Sequence, residues 1–235
     1  MKIKRKEIIM LLCILIIGYS LRLFLALNNT ISKDGIQYIQ FALDWNKGAT
    51  LSIWHVNDTI LYIFCLRHML SFGVAPIYAG LSINIVLGVC FIVLTFFFMK
   101  SLTGNSISSL VCAFLVALHP TFILLSADIL RENLFLCLSA LVLIYIFSDR
   151  TNGIHLAYLI PAAFFTSCAI LTRAEGIMLL PFIVVCIWIR HKLSFALLNI
   201  SIYLLLSSSL YFFIIQCLAP EHRINIFERT VKFIF

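Results

Sequence analysis

Residues 75–99 read Ala75-Pro-Ile-Tyr-Ala-Gly-Leu-Ser-Ile-Asn-Ile-Val-Leu-Gly-Val-Cys-Phe-Ile-Val-Leu-Thr-Phe-Phe-Phe-Met99, without one charged side chain. Crossing the ~30 Å hydrocarbon core of a bilayer takes about 17–25 apolar helical residues. This run has that length, and in lipid a helix satisfies its own backbone polar groups. The rest of the chain follows suit. Of its 235 residues, 63% are hydrophobic and 11% are charged, less than half the ~25% charged expected of a soluble domain. Mean hydropathy is +1.09. A cytosolic enzyme, a disordered chain and a nucleic-acid reader are excluded. The net charge of +7 comes from charges scattered between apolar runs, with four of the seventeen Lys/Arg in the first six residues. That pattern sets membrane orientation and does not point to nucleic acid.

The expected fold is an all-α integral membrane protein with about seven transmembrane helices. The spans read as Ile8 to Leu27, Ala75 to Met99, Ile107 to Leu125, Asn133 to Phe147, Ile154 to Leu171, Gly176 to Ile189 and Leu193 to Cys217. The first outer loop, 28–72, holds one or two interfacial helices. Ile36, Ile39, Phe41, Ala42 and Trp45 recur at helical spacing, which predicts a short amphipathic helix. Thr59 to Phe72 carries Arg67 and His68. Placing Arg67 at mid-membrane would cost about 2.5–3.5 kcal/mol, so this segment reads as a second interfacial helix. Residues 1–217 form one membrane module with no room for a soluble domain, and 218–235 form a short extracytoplasmic tail. Residues 8–27 are too long for a signal-peptide core and lack a clean small-x-small site, so they read as a retained span. The eight cysteines form no CxxC pair and lie mostly in apolar runs, as packing residues.

The basic N-terminus argues for a cytoplasmic start in a cell (inner) membrane. Eight of the ten acidic residues then fall on the outer face. Asp34, Asp128, Glu132 and Glu175 come from three loops and reach one surface, provided that Thr59 to Phe72 does not cross.

Each charged motif has two readings. Asp34 is a general base just outside the first span, or the N-cap of the interfacial helix. Tyr38 lies one turn on and would share its face. In Ser126-Ala-Asp-Ile-Leu-Arg-Glu-Asn-Leu-Phe135, Asp128, Arg131 and Glu132 line an interfacial site, or Glu132 simply complements a helix dipole. In Leu171-Thr-Arg-Ala-Glu-Gly176, Arg173 and Glu175 form an ordinary surface ion pair, or Arg173 holds a phosphate. His119, before Pro120, reads as a packed residue. No paired His/Cys spacing marks a metal site.

In order, these motifs are Lys-Asp-Gly-x-x-Tyr-x-x-x-Ala, then His-Pro ahead of Arg-Glu-Asn-Leu-Phe, then Leu-Thr-Arg-Ala-Glu-Gly. The series resembles the membrane module of GT-C glycosyltransferases of the family 39 type. That type includes dolichyl-phosphate-mannose protein mannosyltransferases and lipid A aminoarabinose transferases. The resemblance covers roughly residues 5–190. It implies transfer of a sugar from a polyprenyl-phosphate donor to an acceptor hydroxyl, with inversion, at the extracytoplasmic face. The acceptor would be a protein, lipid or glycan. Asp34 would be the catalytic base. Arg173 and Arg131 would steady the leaving phosphate, Glu132 matches the acid before the fourth span, and Tyr38, Asp128 and Glu175 complete the substrate site. The resemblance names no cofactor and leaves a divalent metal open. The chain departs from the family in three ways: Gly35 follows Asp34 where many members carry a second acid, His55-Val-Asn-Asp58 lacks a proline, and members usually continue for further spans. A non-catalytic or truncated relative that binds polyprenyl lipid is the alternative. A small transporter or flippase is a third reading, but it calls for mid-membrane ionisable groups, and only Arg22 lies near that depth.

Overall fold

The computed structural model describes residues 4–48, 59–148, 156–190 and 193–218. The expected tail beyond residue 218, the His55–Asp58 segment and Asp149 lie outside the described residues. All regular elements among the described residues are helical: α1 (Arg5–Asn28), α2 (Lys33–Asn46), α3 (Ile60–Ser71), α4 (Pro76–Thr103), α5 (Ser106–Leu118), α6 (Pro120–Ser126), α7 (Glu132–Ser148), α8 (Leu156–Ile170), a 3-10 turn (Ala174–Met178), α9 (Leu179–Arg190) and α10 (Leu193–Leu218).

Local chemistry sets several of these ends. Pro76 opens α4, where its missing N–H costs nothing. Gly104, at φ 70°, closes it in the left-handed region that glycine favours. The Asn105 side chain caps α5 by accepting from the Ile107 N–H at 2.9 Å.

Among the described residues, three helices are long and apolar enough to cross a membrane: α1, α4 and the Ala196–Leu218 part of α10. A fourth crossing is gained if α5 and α6, bent by 60°, count as one broken span. This corrects the expected seven. The fourth and fifth runs form helices among the described residues, but α7 has 17 described residues and α8 has 15. At 1.5 Å per residue they reach about 26 and 23 Å, short of the ~30 Å core. The sixth run is shorter still, because its first residues form the 3-10 turn and leave α9 only 12. The third run breaks at His119-Pro120, where proline removes an intrahelical hydrogen bond.

In the first loop, α2 forms where the spacing predicts a helix, burying Gly35, Tyr38 and Ala42. α3 has 12 described residues, about 18 Å, shorter than the ~30 Å hydrocarbon core. The pair packs through Tyr38, Ala42, Ile60, Tyr62, Ile63 and Leu66, together with Ile129 and Leu171.

α4 lies among α1, α5 and α7, while α8 packs between α7 and α10. Outward faces carry bare apolar side chains such as Phe24, Ile107 and Ile189, as expected of surfaces whose solvent is lipid. At one end of the bundle Lys100 is paired with Glu7, and Ser106 donates to the same carboxylate at 2.8 Å. This joins α1, α4 and α5. The opposite end carries the candidate site.

Candidate functional site

Three chain segments meet at that end: the start of α2, the link 127–131 between α6 and α7, and the turn after α8. The first junction is built on backbone. Asp128, only 9% exposed, accepts at Oδ1 from the Ser32 N–H at 3.1 Å and the Ile129 N–H at 2.7 Å. Ser32 in turn caps α2, accepting from the Gly35 N–H at 3.2 Å. Asp34 is therefore not the cap; it sits in the first turn, inside the helix. Gly35 is needed here for close approach, since a Cβ there would lie 3.0 Å from the Ile129 carbonyl oxygen. The Asp128 oxygen that was expected to face substrate is thus committed to main-chain amides.

Asn84 lies beneath this junction. It is fully buried, and its Nδ2 donates to the Asp128 carbonyl at 2.6 Å and to the Tyr62 hydroxyl at 2.9 Å. Tyr62 meets the edge of Tyr38 with ring centroids 5.6 Å apart. Burial pushes the Tyr62 phenol well above its ordinary value. Asn84 and Tyr62 are site-supporting residues that the motif reading passed over. Their one signal was an amide alone within an apolar run, a position where polar residues serve as interhelical glue.

The second junction is ionic. Arg173 donates from Nη1 to Glu132 Oε1 at 2.7 Å, and from Nη2 and Nε to the two oxygens of Glu175 at 2.7 and 3.1 Å. Its guanidinium also lies 6.0 Å from the ring centre of Phe135. The hydrogen-bonded Arg173 holds the Glu175 carboxyl down at about 2, with a smaller contribution from the Arg131 charge. In return the hydrogen bond to Glu175, helped by the charge of Glu132, raises Arg173; the nearby Tyr38 phenol adds slightly. The Glu175 shift is large, but its carboxylate is exposed to water, so the pair adds little to stability.

The expected site residues thus divide. Tyr38, Arg131, Glu132, Arg173 and Glu175 gather at one end of the bundle, and Asp128 braces them from below. Asp34 shares that end on α2 but is exposed, and makes no side-chain hydrogen bond or ion pair among the described residues. His119 is exposed and packs its ring on Phe122, with centroids 5.0 Å apart. Between α8, the 3-10 turn, α9 and α10 runs an apolar groove of about 820 Å³, lined by Ile170, Ile177, Leu180, Leu204, Tyr211 and Phe212. Ile170 and Ile177 flank the Arg173–Glu175 turn along the chain, so the groove starts beside the charges. Chemically, the arrangement sets a cation held by carboxylates near an apolar groove. Neither a family model, nor a curated protein, nor a solved structure matches the chain.

Proposed function

We propose that the chain is a GT-C-type membrane glycosyltransferase. It moves a sugar from a polyprenyl-phosphate donor to a hydroxyl of a protein, lipid or glycan acceptor, with inversion. The observation that supports this reading is the meeting of Arg173, Glu132, Glu175 and Arg131, from separate segments, beside both the helix that bears Asp34 and an apolar groove. The groove takes the isoprenoid chain and the cations face the phosphate. Asp34 removes the acceptor proton, the acceptor oxygen attacks the anomeric carbon, and the bond to the lipid phosphate breaks. The α2–α3 pair lies along the membrane surface over this end. In this reading the site faces outward from a cell (inner) membrane. The basic residues from Lys2 to Lys6 keep the N-terminus cytoplasmic.

The test is sugar transfer from a radiolabelled polyprenyl-phosphate donor by the purified chain in lipid. Asp34→Asn is expected to abolish transfer while lipid binding persists. Transfer at the wild-type rate by that variant removes Asp34 from the mechanism. One observation favours a second reading, a non-catalytic subunit that binds polyprenyl lipid: among the described residues no hydrogen bond or ion pair joins the Asp34 side chain to the ionic cluster. Donor binding with no transfer by the wild-type chain, across a panel of acceptors, selects that reading.

A further inference from the structure

We infer that Glu175 is a stand-in for the ligand's anion, occupying the Nε–Nη2 edge of Arg173 until an anionic headgroup displaces it. This rests on the lipid-phosphate reading above and adds how the site is kept when empty.

The geometry of the fork is the first ground. Glu175 takes both N–H groups of one guanidinium edge, at 3.1 and 2.7 Å. A carboxylate and a phosphate oxygen pair fit that edge equally well, because both match the planar, parallel donors. While Glu175 is there, that edge is closed to a phosphate.

The second ground is that the two carboxylates on Arg173 are not equivalent. Glu132 opens α7, its side chain is 26% exposed, and its second oxygen, Oε2, is buried without a hydrogen-bond partner among the described residues. Pulling Glu132 off Arg173 would leave a partly buried carboxylate without its one hydrogen bond among the described residues. The Glu175 side chain is 56% exposed. It can turn into water, where a lone carboxylate is well solvated and the lost exposed ion pair matters little. Nη1 is therefore the fixed contact, and the Nε–Nη2 edge is the exchangeable one.

The third ground is the backbone beneath. The Arg173 N–H donates to the Ala169 carbonyl at 2.9 Å, and the Gly176 N–H to the Arg173 carbonyl at 2.9 Å. Gly176 presses so closely on the end of α8 that an added Cβ would lie 2.7 Å from the Ala169 carbonyl carbon and the Ile170 nitrogen. The turn cannot shift as a body, so the exchange is a rotation of the Glu175 side chain alone. Charge agrees with this. An arriving phosphate adds negative charge to the cluster, and the departure of Glu175 offsets part of it.

The experiment measures binding of farnesyl monophosphate to the full chain in zwitterionic nanodiscs, with farnesol and inorganic phosphate as separate arms. Glu175→Gln and Glu175→Ala are both expected to bind farnesyl monophosphate about five- to tenfold more tightly than wild type. Arg173→Ala is expected to lose tenfold or more. Farnesol binding should be alike in all four proteins, which also verifies that each is folded. If Arg173→Ala loses binding but neither Glu175 variant gains, the stand-in is overturned and the phosphate reading survives. If Arg173→Ala binds as wild type, the phosphate reading fails and takes this inference with it. If inorganic phosphate binds as tightly as farnesyl monophosphate, the edge serves a free anion and the lipid headgroup is overturned.

Discussion

Arg22 Nη1 donates to the Ala117 carbonyl oxygen at 3.2 Å, across from α1 to the end of α5. The α5–α6 bend at His119-Pro120 leaves that carbonyl, and its neighbour on Val116, without helical partners: Pro120, four residues after Val116, has no N–H, and the helix breaks before Thr121 can bond Ala117. Arg22 answers both, reaching Val116 at 3.4 Å, and also bonds the Gly18 carbonyl and the Ser126 hydroxyl. It is fully buried, and every one of these acceptors is neutral. An intramembrane arginine is thus spent on repairing a broken helix.

Arg22→Met should therefore weaken the bundle. It removes four hydrogen bonds worth roughly 0.6 kcal/mol each in membrane proteins, for a loss of about 2 kcal/mol. Equilibrium unfolding in mixed micelles measures it. Wild-type stability would show that the carbonyls find other donors.

Room for the guanidinium depends on glycine. A Cβ at Gly88 would lie 2.1 Å from Ser126 Oγ and 2.8 Å from Arg22 Nε. Gly88→Ala should cost about 1–3 kcal/mol by overpacking. Adding Ser126→Ala removes the nearest clash, so the double variant is expected to melt above the single one. Equal melting temperatures would mean that the clash lies elsewhere.

Asp34 and Ser32 should separate chemistry from stability. The Asp34 side chain makes no hydrogen bond among the described residues, so Asp34→Asn leaves the melting temperature nearly unchanged while ending transfer. Ser32 is the cap. Ser32→Ala is expected to cost about 1 kcal/mol. A thermal melt of each variant checks the pair, and the opposite ranking would return the capping role to Asp34.

The Glu175 carboxylate should resist acid. Its ordinary value of 4.5 falls to about 2, first through its hydrogen bonds to Arg173. Arg173 itself faces Glu132 and Tyr38, and the Arg131 charge also reaches Glu175. A folded value below the unfolded one means that the pairing is fully present above 4.5 and is lost as pH falls through about 2. Isotope-edited infrared titration of Glu175 reads this directly. In Arg173→Ala the midpoint should move back up toward the ordinary carboxylate range. An unmoved midpoint would deny Arg173 its part.

Composition was enough to read an all-helical membrane chain, because apolar runs without charge admit no other solvent. The spacing of Ile36, Ile39 and Ala42 announced α2, and Arg67 kept α3 from being read as a crossing. The number of long helices was not legible. Hydropathy measures composition, whereas crossing needs unbroken helical length, and the sixth apolar run gives its first residues, Gly176 to Met178, to a 3-10 turn. Pro120 stood in plain view, but the apolar residues on both sides disguised a broken helix as one span. At the site, Arg173, Glu132 and Glu175 were picked out by charge. Asp128 was picked out too, but its work is to hold main-chain amides. Asn84, which ties Asp128 to Tyr62, gave no signal beyond its solitude.

The Glu7–Lys100 pair has a bearing on the bilayer. α1 is fastened to α4 and α5 near its first turn by Glu7, and to α5 and α6 near its far end by Arg22. At 24 residues it is about 36 Å long, more than the ~30 Å of an average hydrocarbon core. A lone helix with that excess would tilt until it fitted. α1 cannot tilt against its neighbours without breaking a buried contact at one end or the other. The bundle must lean as a unit or the lipid must stretch around it, so hydrocarbon thickness becomes a variable to which this protein responds as a whole.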